Sequence, residues 1–327
     1  MDSPAAAATT ESPAQSDPGV SIVVPAYNYA QYLEAAVRSV LAQDYRPLEV
    51  IIVDDGSRDE TPALGLRLAA ETRLVRYVHQ QNAGLSAARN TGIREARHPF
   101  VAFLDADDEW LPGMLSTVMA AYRSLPEDTG LVACSSRRVT AEGAPIVEKQ
   151  VNRWGNRYFS GRELLMKTRF MPSCAVARRE CFQEAGDFDT TLRSSEDRDM
   201  WARIGMNRRV YHVDQPLVNI RKHASNMSRH ADRMRAAMRQ VRRKARGAEL
   251  APAWRVDFWL PLAAIDHFQA GWMYWDEGRP ARALFHAAAS ILVWPLPINH
   301  LAVAEPAFFR LRAALRFLLA RRPTPSA

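Results

Sequence analysis

Val50-Ile-Ile-Val53-Asp54-Asp55-Gly56-Ser57 is a run of four β-branched residues that stops on two acids and a turn. A short run that is apolar at every position reads as a strand buried on both faces, and Asp-Gly after it as a turn. Downstream, Thr61 and Pro62 open a helix, Pro62 sitting in the first turn where a missing N–H is harmless. Upstream, Val20-Ser-Ile-Val-Val-Pro25 is a second strand, after which Leu33, Val37, Val40 and Leu41 recur at helical spacing, with Asn28 or a neighbour available as N-cap. Working outward, residues 74–78 predict a strand, 86–96 a helix, 100–104 a strand and 112–122 a helix. This alternation predicts an α/β fold with a mostly parallel sheet and helices on both faces.

From about residue 131 to 226 the alternation loosens into shorter strands and loops, with helices near 161–167 and 196–205. After Arg246 the pattern is wholly helical: 258–277 and 280–294 form a pair around a turn, and 306–322 is a last amphipathic helix with a basic end. The expected organisation is an N-terminal tail without fixed structure (1–19), an α/β domain (20–230) and a C-terminal helical region (231–327).

Composition narrows the class. The 327 residues are 47% hydrophobic and 24% charged, the balance of a folded globular chain. The most apolar stretch, 287–296, is too short to span a bilayer and is broken by Pro295 and Pro297. Residues 1–19 lack the basic start and apolar run of a signal peptide, which predicts a cytoplasmic protein. Cys134, Cys174 and Cys181 have neither metal-site nor disulfide-framework spacing and read as reduced thiols. The formal charge is +7, and residues 221–246 hold ten Lys or Arg against Asp232 alone. That stretch attracts anions, though a solvated helix face has the same composition.

In parallel sheets ligands bind at the carboxyl ends of the strands. Three polar clusters fall there: Pro25-Ala-Tyr27-Asn28, Asp54-Asp55-Gly56-Ser57 and Asp105-Ala106-Asp107-Asp108. Neither a dinucleotide fingerprint nor a phosphate-binding P-loop is present. Acids alone repel phosphate unless a divalent cation lies between, and Asp105-x-Asp107 supplies the hard oxygen ligands that suit Mg²⁺ or Mn²⁺. A carboxylate at Asp54 or Asp55 can accept from a base or a ribose, Tyr27 can stack on a base, and the amides after Gly84 together with Arg89 can hold anionic oxygens. Each of these features taken singly also fits an ordinary turn, packing contact or capped helix.

Pro25-x-Tyr27-Asn28, Val53-Asp-Asp-Gly-Ser57, Asn82-x-Gly-Leu-Ser-x-Ala-Arg-Asn90 and Phe103-Leu-Asp-Ala-Asp-Asp108, in this order and at element ends, together resemble the family 2 glycosyltransferases over about residues 20–228. The resemblance implies a GT-A fold, a nucleotide-diphosphate sugar donor with uridine as the commonest base, a divalent metal (Mg²⁺ or Mn²⁺) and inversion at the anomeric carbon. It places donor binding on Pro25, Tyr27, Asn28, Asp54, Asp55, Gly84, Arg89, Asp105 and Ala106, and metal binding on Asp105, Asp107 and His223. The last lies in an Arg221-x-His223-x-x-Asn226-x-Ser228 stretch similar to the one that often closes such domains.

The resemblance also gives the general base to Asp197, with Glu196 beside it. Ser194-x-x-Asp197 fits a capping box as well, in which the acid only satisfies helix amides. At an ordinary pKa of about 4 the carboxylate is ionised at neutral pH, so no unusual environment is required of it. Gln240-Val-Arg-Arg-Lys244 lacks the Trp of the processive Gln-x-x-Arg-Trp motif, which favours one sugar per encounter.

The implied acceptor is a saccharide, a lipid-linked or a protein hydroxyl, in polysaccharide or glycoconjugate synthesis, and no nucleic-acid partner is expected. The basic last helix opens the option of peripheral contact with the inner face of the plasma membrane. Two rival readings stay open: a sugar-phosphate nucleotidyltransferase, which would carry a glycine-rich basic loop after the first strand, and a catalytically silent module that binds a membrane or a partner.

Overall fold

The computed structural model describes residues 17–146, 155–223, 230–248, 250–298 and 308–319. Most of the expected tail, together with Asn226, Ser228 and the end of the last expected helix, lies outside them. The first half follows the alternation: β1 (Val20–Ala26), α1 (Ala30–Leu41), β2 (Leu48–Asp54), α2 (Thr61–Glu71), β3 (Val75–His79), α3 (Leu85–Glu95) and β4 (Phe100–Phe103). A two-residue β5 (Glu109–Trp110), α4 (Met114–Ser124) and the long β6 (Thr129–Val139) come next. Then follow β7 (Arg157–Phe159), α5 (Gly161–Met166), β8 (Ala175–Arg178), α6 (Glu180–Ala185), α7 (Glu196–Asn207) and β9 (Arg209–Arg221). Among the described residues α8 (Ala231–Gly247), α9 (Val256–Asp276), α10 (Pro280–Val293) and α11 (Phe309–Leu319) follow.

One sheet runs β3-β2-β1-β4-β8-β6-β9-β5, with β7 paired to β9. β3, β2, β1 and β4 are parallel neighbours, β6 and β9 pair in parallel, and β8, β5 and β7 run against their partners. Val23 pairs with Ile51 on one side and Phe103 on the other. The carboxyl ends of β1, β2 and β4 therefore lie side by side, and the three polar clusters share one rim. Every residue of β1 and β2 is buried, as their unbroken apolar runs predict.

Local chemistry sets two helix starts. Asn28 does not cap α1: Tyr29 holds that position, and the Asn28 side-chain oxygen accepts the Arg58 amide at 2.8 Å, tying the β1 loop to the β2 loop. Ser160 and Glu163 form a reciprocal capping box on α5, a spacing visible in the sequence.

The C-terminal helices do not stand apart from the sheet domain. Leu165 and Met166 of α5 and Ala202 of α7 share one apolar cluster with Val241, Trp259 and Leu262. Trp259 and Trp275 are buried, whereas Trp254 is 74% exposed. Among the described residues no helix is long and apolar enough to cross a membrane.

α3 lies against β1 so closely that a Cβ placed on Gly92 would meet Val23 Cγ1 at 2.2 Å. Val23 is fully buried in a central strand and has nowhere to move. At so short an approach Gly92→Ala should incur the upper part of the ~1–3 kcal/mol overpacking range, which leaves a net destabilisation of about 1–2 kcal/mol after the ~1 kcal/mol of helix propensity it gains. Thermal unfolding should show a Tm lower by several degrees. An unchanged or higher Tm would show that α3 does not seat on β1 this way.

Candidate active site

Two neighbouring constellations occupy the rim. The first is held by the acids at the end of β2. Asp54 is fully buried and accepts from Tyr77 Oη at 2.6 Å and from the Ser57 amide at 2.9 Å, and it contacts His79 Nδ1 at 3.1 Å. Those donors hold its carboxyl below the ordinary range against the opposing effect of burial. Asp55 Oδ1 accepts from Gln80 Nε2 at 2.7 Å and from the Ala83 amide at 2.9 Å, and its Oδ2 accepts from the Gly84 amide at 2.8 Å. Both acids thus fasten the loops of the rim, and the Ala83 and Gly84 amides face a carboxylate rather than an open anion site. Gly84 itself has φ 93°, a conformation that glycine adopts readily. Pro25 is buried in β1, while Tyr27 stands 42% exposed beside Asn28 at the loop tip.

The second constellation gathers acids from two distant stretches, residues 105–108 and 196–197, around Arg89 and His223. Arg89, on α3, is 1% exposed. Its Nη2 donates to Asp105 Oδ1 at 2.7 Å and its Nη1 to Glu196 Oε1 at 2.6 Å. The guanidinium of Arg89, a residue expected to hold donor oxygens, here joins two carboxylates of the protein itself. Ala106 is buried between the loop acids. Asp107 Oδ2 lies 2.8 Å from His223 Nε2, which brings together two of the three expected metal ligands across 116 residues. Asp108 is buried, accepting from Ser173 Oγ at 2.6 Å and from the Arg221 amide at 3.1 Å.

Burial and the neighbouring Asp105 charge push the Asp107 carboxyl upward, and burial together with Asp107 and Asp105 pushes Asp108 well above its ordinary value. Carboxylates that raise one another in this way are short of positive charge. An oxygen-rich set with one imidazole suits a divalent cation that keeps waters and takes further oxygens from a ligand. Among the described residues no three such side chains form a group that could hold a metal ion; of the expected ligands, Asp107 and His223 are the two brought into contact.

Asp197 opens α7 next to Glu196. It is 7% exposed, and one oxygen accepts the Arg198 amide at 2.7 Å. The capping-box alternative is not formed: Ser195 occupies the N-cap position with φ 58°, and Ser194 Oγ is buried without a hydrogen-bond partner among the described residues. A positive φ at serine is strained, and it occurs where the chain turns to present Glu196 and Asp197. Burial first, and then the Glu196 charge, push Asp197 up to about 7. The expectation of an ordinary carboxyl is therefore corrected, because folding removes Asp197 from water beside a second acid.

Several participants carry no motif. Ser173, in a short turn before β8, bridges the acid loop by accepting the Asp105 amide at 3.2 Å while donating to Asp108. Tyr32 stacks on His223 with ring centroids 5.3 Å apart, and Tyr29 lies edge-on to the same ring. The tyrosines follow the recognised Tyr27-Asn28, but nothing local marks Ser173.

The glycosyl transferase family 2 profile matches residues 21–186, half of the chain. An uncharacterized glycosyltransferase of Rickettsia prowazekii is 27% identical over 210 residues, covering 64% of this chain and 65% of that protein. The uncharacterized glycosyltransferase EpsJ of Bacillus subtilis is 32% identical over 189 residues, covering 55% and 54%. The chain thus spans less than two thirds of the length of these curated relatives. Among solved structures, S. aureus TarS 1–349 in complex with UDP-GlcNAc superposes with a TM-score of 0.54 at 17% identity over 84% of this chain and 89% of that one. A mannosyltransferase from Pyrobaculum calidifontis in complex with GDP-Man and Mn²⁺ gives 0.59 at 24% identity over 92% and 87%. At these identities the likeness is one of fold, the GT-A arrangement of sheet and helices. Sequence profile and architecture agree with the motifs at the strand ends: the chain belongs to glycosyl transferase family 2.

Proposed function

We propose that the chain transfers a sugar from a nucleotide-diphosphate donor to an acceptor hydroxyl, with inversion and one sugar per encounter. The observation that carries this reading is the Arg89 bridge, which holds the acid loop after β4 and the start of α7 on either side of a single guanidinium. Donor-diphosphate chemistry and proton acceptance then share one cleft. Tyr27, exposed at the rim, is the stacking surface for the base, with Asp54 and Asp55 shaping the loops around it. The solved neighbours carry UDP-GlcNAc in one case and GDP-Man in another, so uridine and guanosine donors are both to be tried, uridine first.

Asp105, Asp107 and His223 would hold Mg²⁺ or Mn²⁺, which supplies Lewis-acid neutralisation of a departing diphosphate. Asp197 takes the proton from the acceptor hydroxyl as that oxygen attacks the anomeric carbon, opposite the leaving nucleoside diphosphate. One bond forms, one breaks, and the configuration inverts. A base at about 7 combines an adequate ionised fraction with a stronger pull on the proton than an ordinary carboxylate exerts. The acceptor is a saccharide, lipid-linked or protein hydroxyl in polysaccharide or glycoconjugate synthesis. The reading includes a cytoplasmic enzyme in peripheral contact with an anionic membrane, for which Leu311, Leu315 and Leu318, exposed along one side of α11, would be the contact face.

A panel of UDP- and GDP-sugars with Mn²⁺ or Mg²⁺ tests the reaction, reading nucleotide release and the anomer formed. A retained anomer, or no turnover with any donor, overturns the reading. Asp197→Asn should lower turnover about 10²- to 10⁴-fold with donor affinity kept. In the wild type, activity should rise with pH and level off above about 7; a profile already flat at pH 5 removes Asp197 from the role. Because a carboxyl raised on folding opposes stability as pH rises from its unfolded value toward its folded one, the Asn variant should also gain Tm over wild type progressively between about pH 4 and 7.

Asp107→Ala should weaken metal-dependent donor binding about tenfold or more, the effect of a ligand worth ~1.4 kcal/mol; calorimetry with and without Mn²⁺ reads this directly. Arg89→Met leaves Asp105 and Glu196 without their shared cation, and should cost about 3–5 kcal/mol in denaturant unfolding along with turnover. Wild-type stability would mean that the bridge contributes nothing to the fold.

A further inference from the structure

The C-terminal helices enclose a cavity that none of the motifs reaches. Arg235, Arg239 and Arg242 line it from α8, facing His267 of α9 and His286 of α10 across about 150 Å³. Among the described residues Asp266 is the one carboxylate in the wall, and both its oxygens are engaged, Oδ1 by Arg198 Nη2 at 3.0 Å and Oδ2 by Arg242 Nη1 at 2.6 Å. Arg235 and Arg239 have no ion pair or hydrogen bond among the described residues. The wall therefore sets three guanidiniums against one carboxylate, a surplus of two positive charges.

The two histidines face each other across the same wall. Their Nδ1 atoms lie 3.0 Å apart, so in the neutral pair one ring carries its proton on Nδ1 and the other on Nε2. Burial and then Arg235 hold His286 down to about 4, and burial with Arg235 and Arg242 holds His267 below its ordinary value. Burial is the larger cause of both shifts, and the guanidiniums beside the rings add to it. Arg239 is exposed and Arg235 and Arg242 are half-buried, so the mouth opens to solvent.

We propose that this cavity binds a phosphate group, at a site separate from the acid-lined cleft. Guanidinium forks match phosphate oxygens in pairs. A phosphate monoester carries roughly −1.5 to −2 at neutral pH, which cancels the surplus where a single carboxylate would leave half of it. The volume is several times the ~30 Å³ share of a water molecule and admits such a group. The group comes either from a soluble phosphate or from a lipid headgroup. The site stands on α8, α9 and α10 alone, so its failure would leave the transfer reaction untouched.

Calorimetric titration of the full chain with inorganic phosphate, against chloride at equal ionic strength, is the first arm. Flotation with phosphatidylcholine vesicles, with and without phosphatidic acid, is the second. Saturable phosphate binding, weakened at least tenfold in Arg239→Ala and lost in Arg235→Ala/Arg239→Ala, supports a soluble ligand. Phosphatidic-acid-dependent flotation that is lost in the same variants, without free phosphate binding, supports a lipid source. Phosphate no better than chloride combined with no phosphatidic-acid-dependent flotation, or either kind of binding unchanged in the variants, overturns the site. Arg239 lies exposed at the mouth, so the single variant decides should the double one fail to fold.

Discussion

A buried guanidinium between two carboxylates is the constraint on which this rim depends. Arg89 is out of water, and removing a charge from water is costly unless it is well paired and hydrogen-bonded. Asp105 and Glu196 meet that requirement from opposite sides, one at the end of β4 and the other at the start of α7. The stretches carrying them are about ninety residues apart in the chain, yet neither can drift without stranding the arginine. The rings of Phe103 and Phe188 near the guanidinium add apolar walls that keep solvent out.

The cluster around that bridge remains acid-rich, and its protonation follows. Burial raises Asp107, Asp108 and Asp197 first, and a neighbouring acid adds to each: Asp105 for Asp107, Asp107 and Asp105 for Asp108, and Glu196 for Asp197. Such an arrangement is a poor stabiliser of the empty fold, and it favours whatever brings positive charge to the acid loop. The strain at Ser195 belongs to the same account, since a left-handed serine is tolerated where it turns Glu196 and Asp197 inward.

The C-terminal helices are joined to this arrangement by ion pairs as well as by apolar packing. Asp266 of α9 is shared by Arg198, the residue after Asp197, and by Arg242 of α8. Lys244 reaches both Asp189 and Asp199 at 2.9 Å. The helix that presents Asp197 is therefore braced from behind by the basic helix. Part of the charge run between Arg221 and Arg246 is internal structure, and only the remainder faces solvent or a ligand.

Apolar runs and their spacing determined the layered α/β core, because a strand buried on both faces and a helix with one apolar stripe each leave a local signature, as in Val50 to Val53 and in Leu33, Val37 and Val40. The strand-end position of Asp54, Asp105 and Asp107 was legible for the same reason. Pairings that join distant stretches leave no local trace: Arg89 with Glu196, Asp107 with His223, and Ser173 with Asp108 exist only once the sheet has set its order. The acidity of Asp197 is of that kind too, since desolvation depends on what packs over a side chain, and that is decided by tertiary structure.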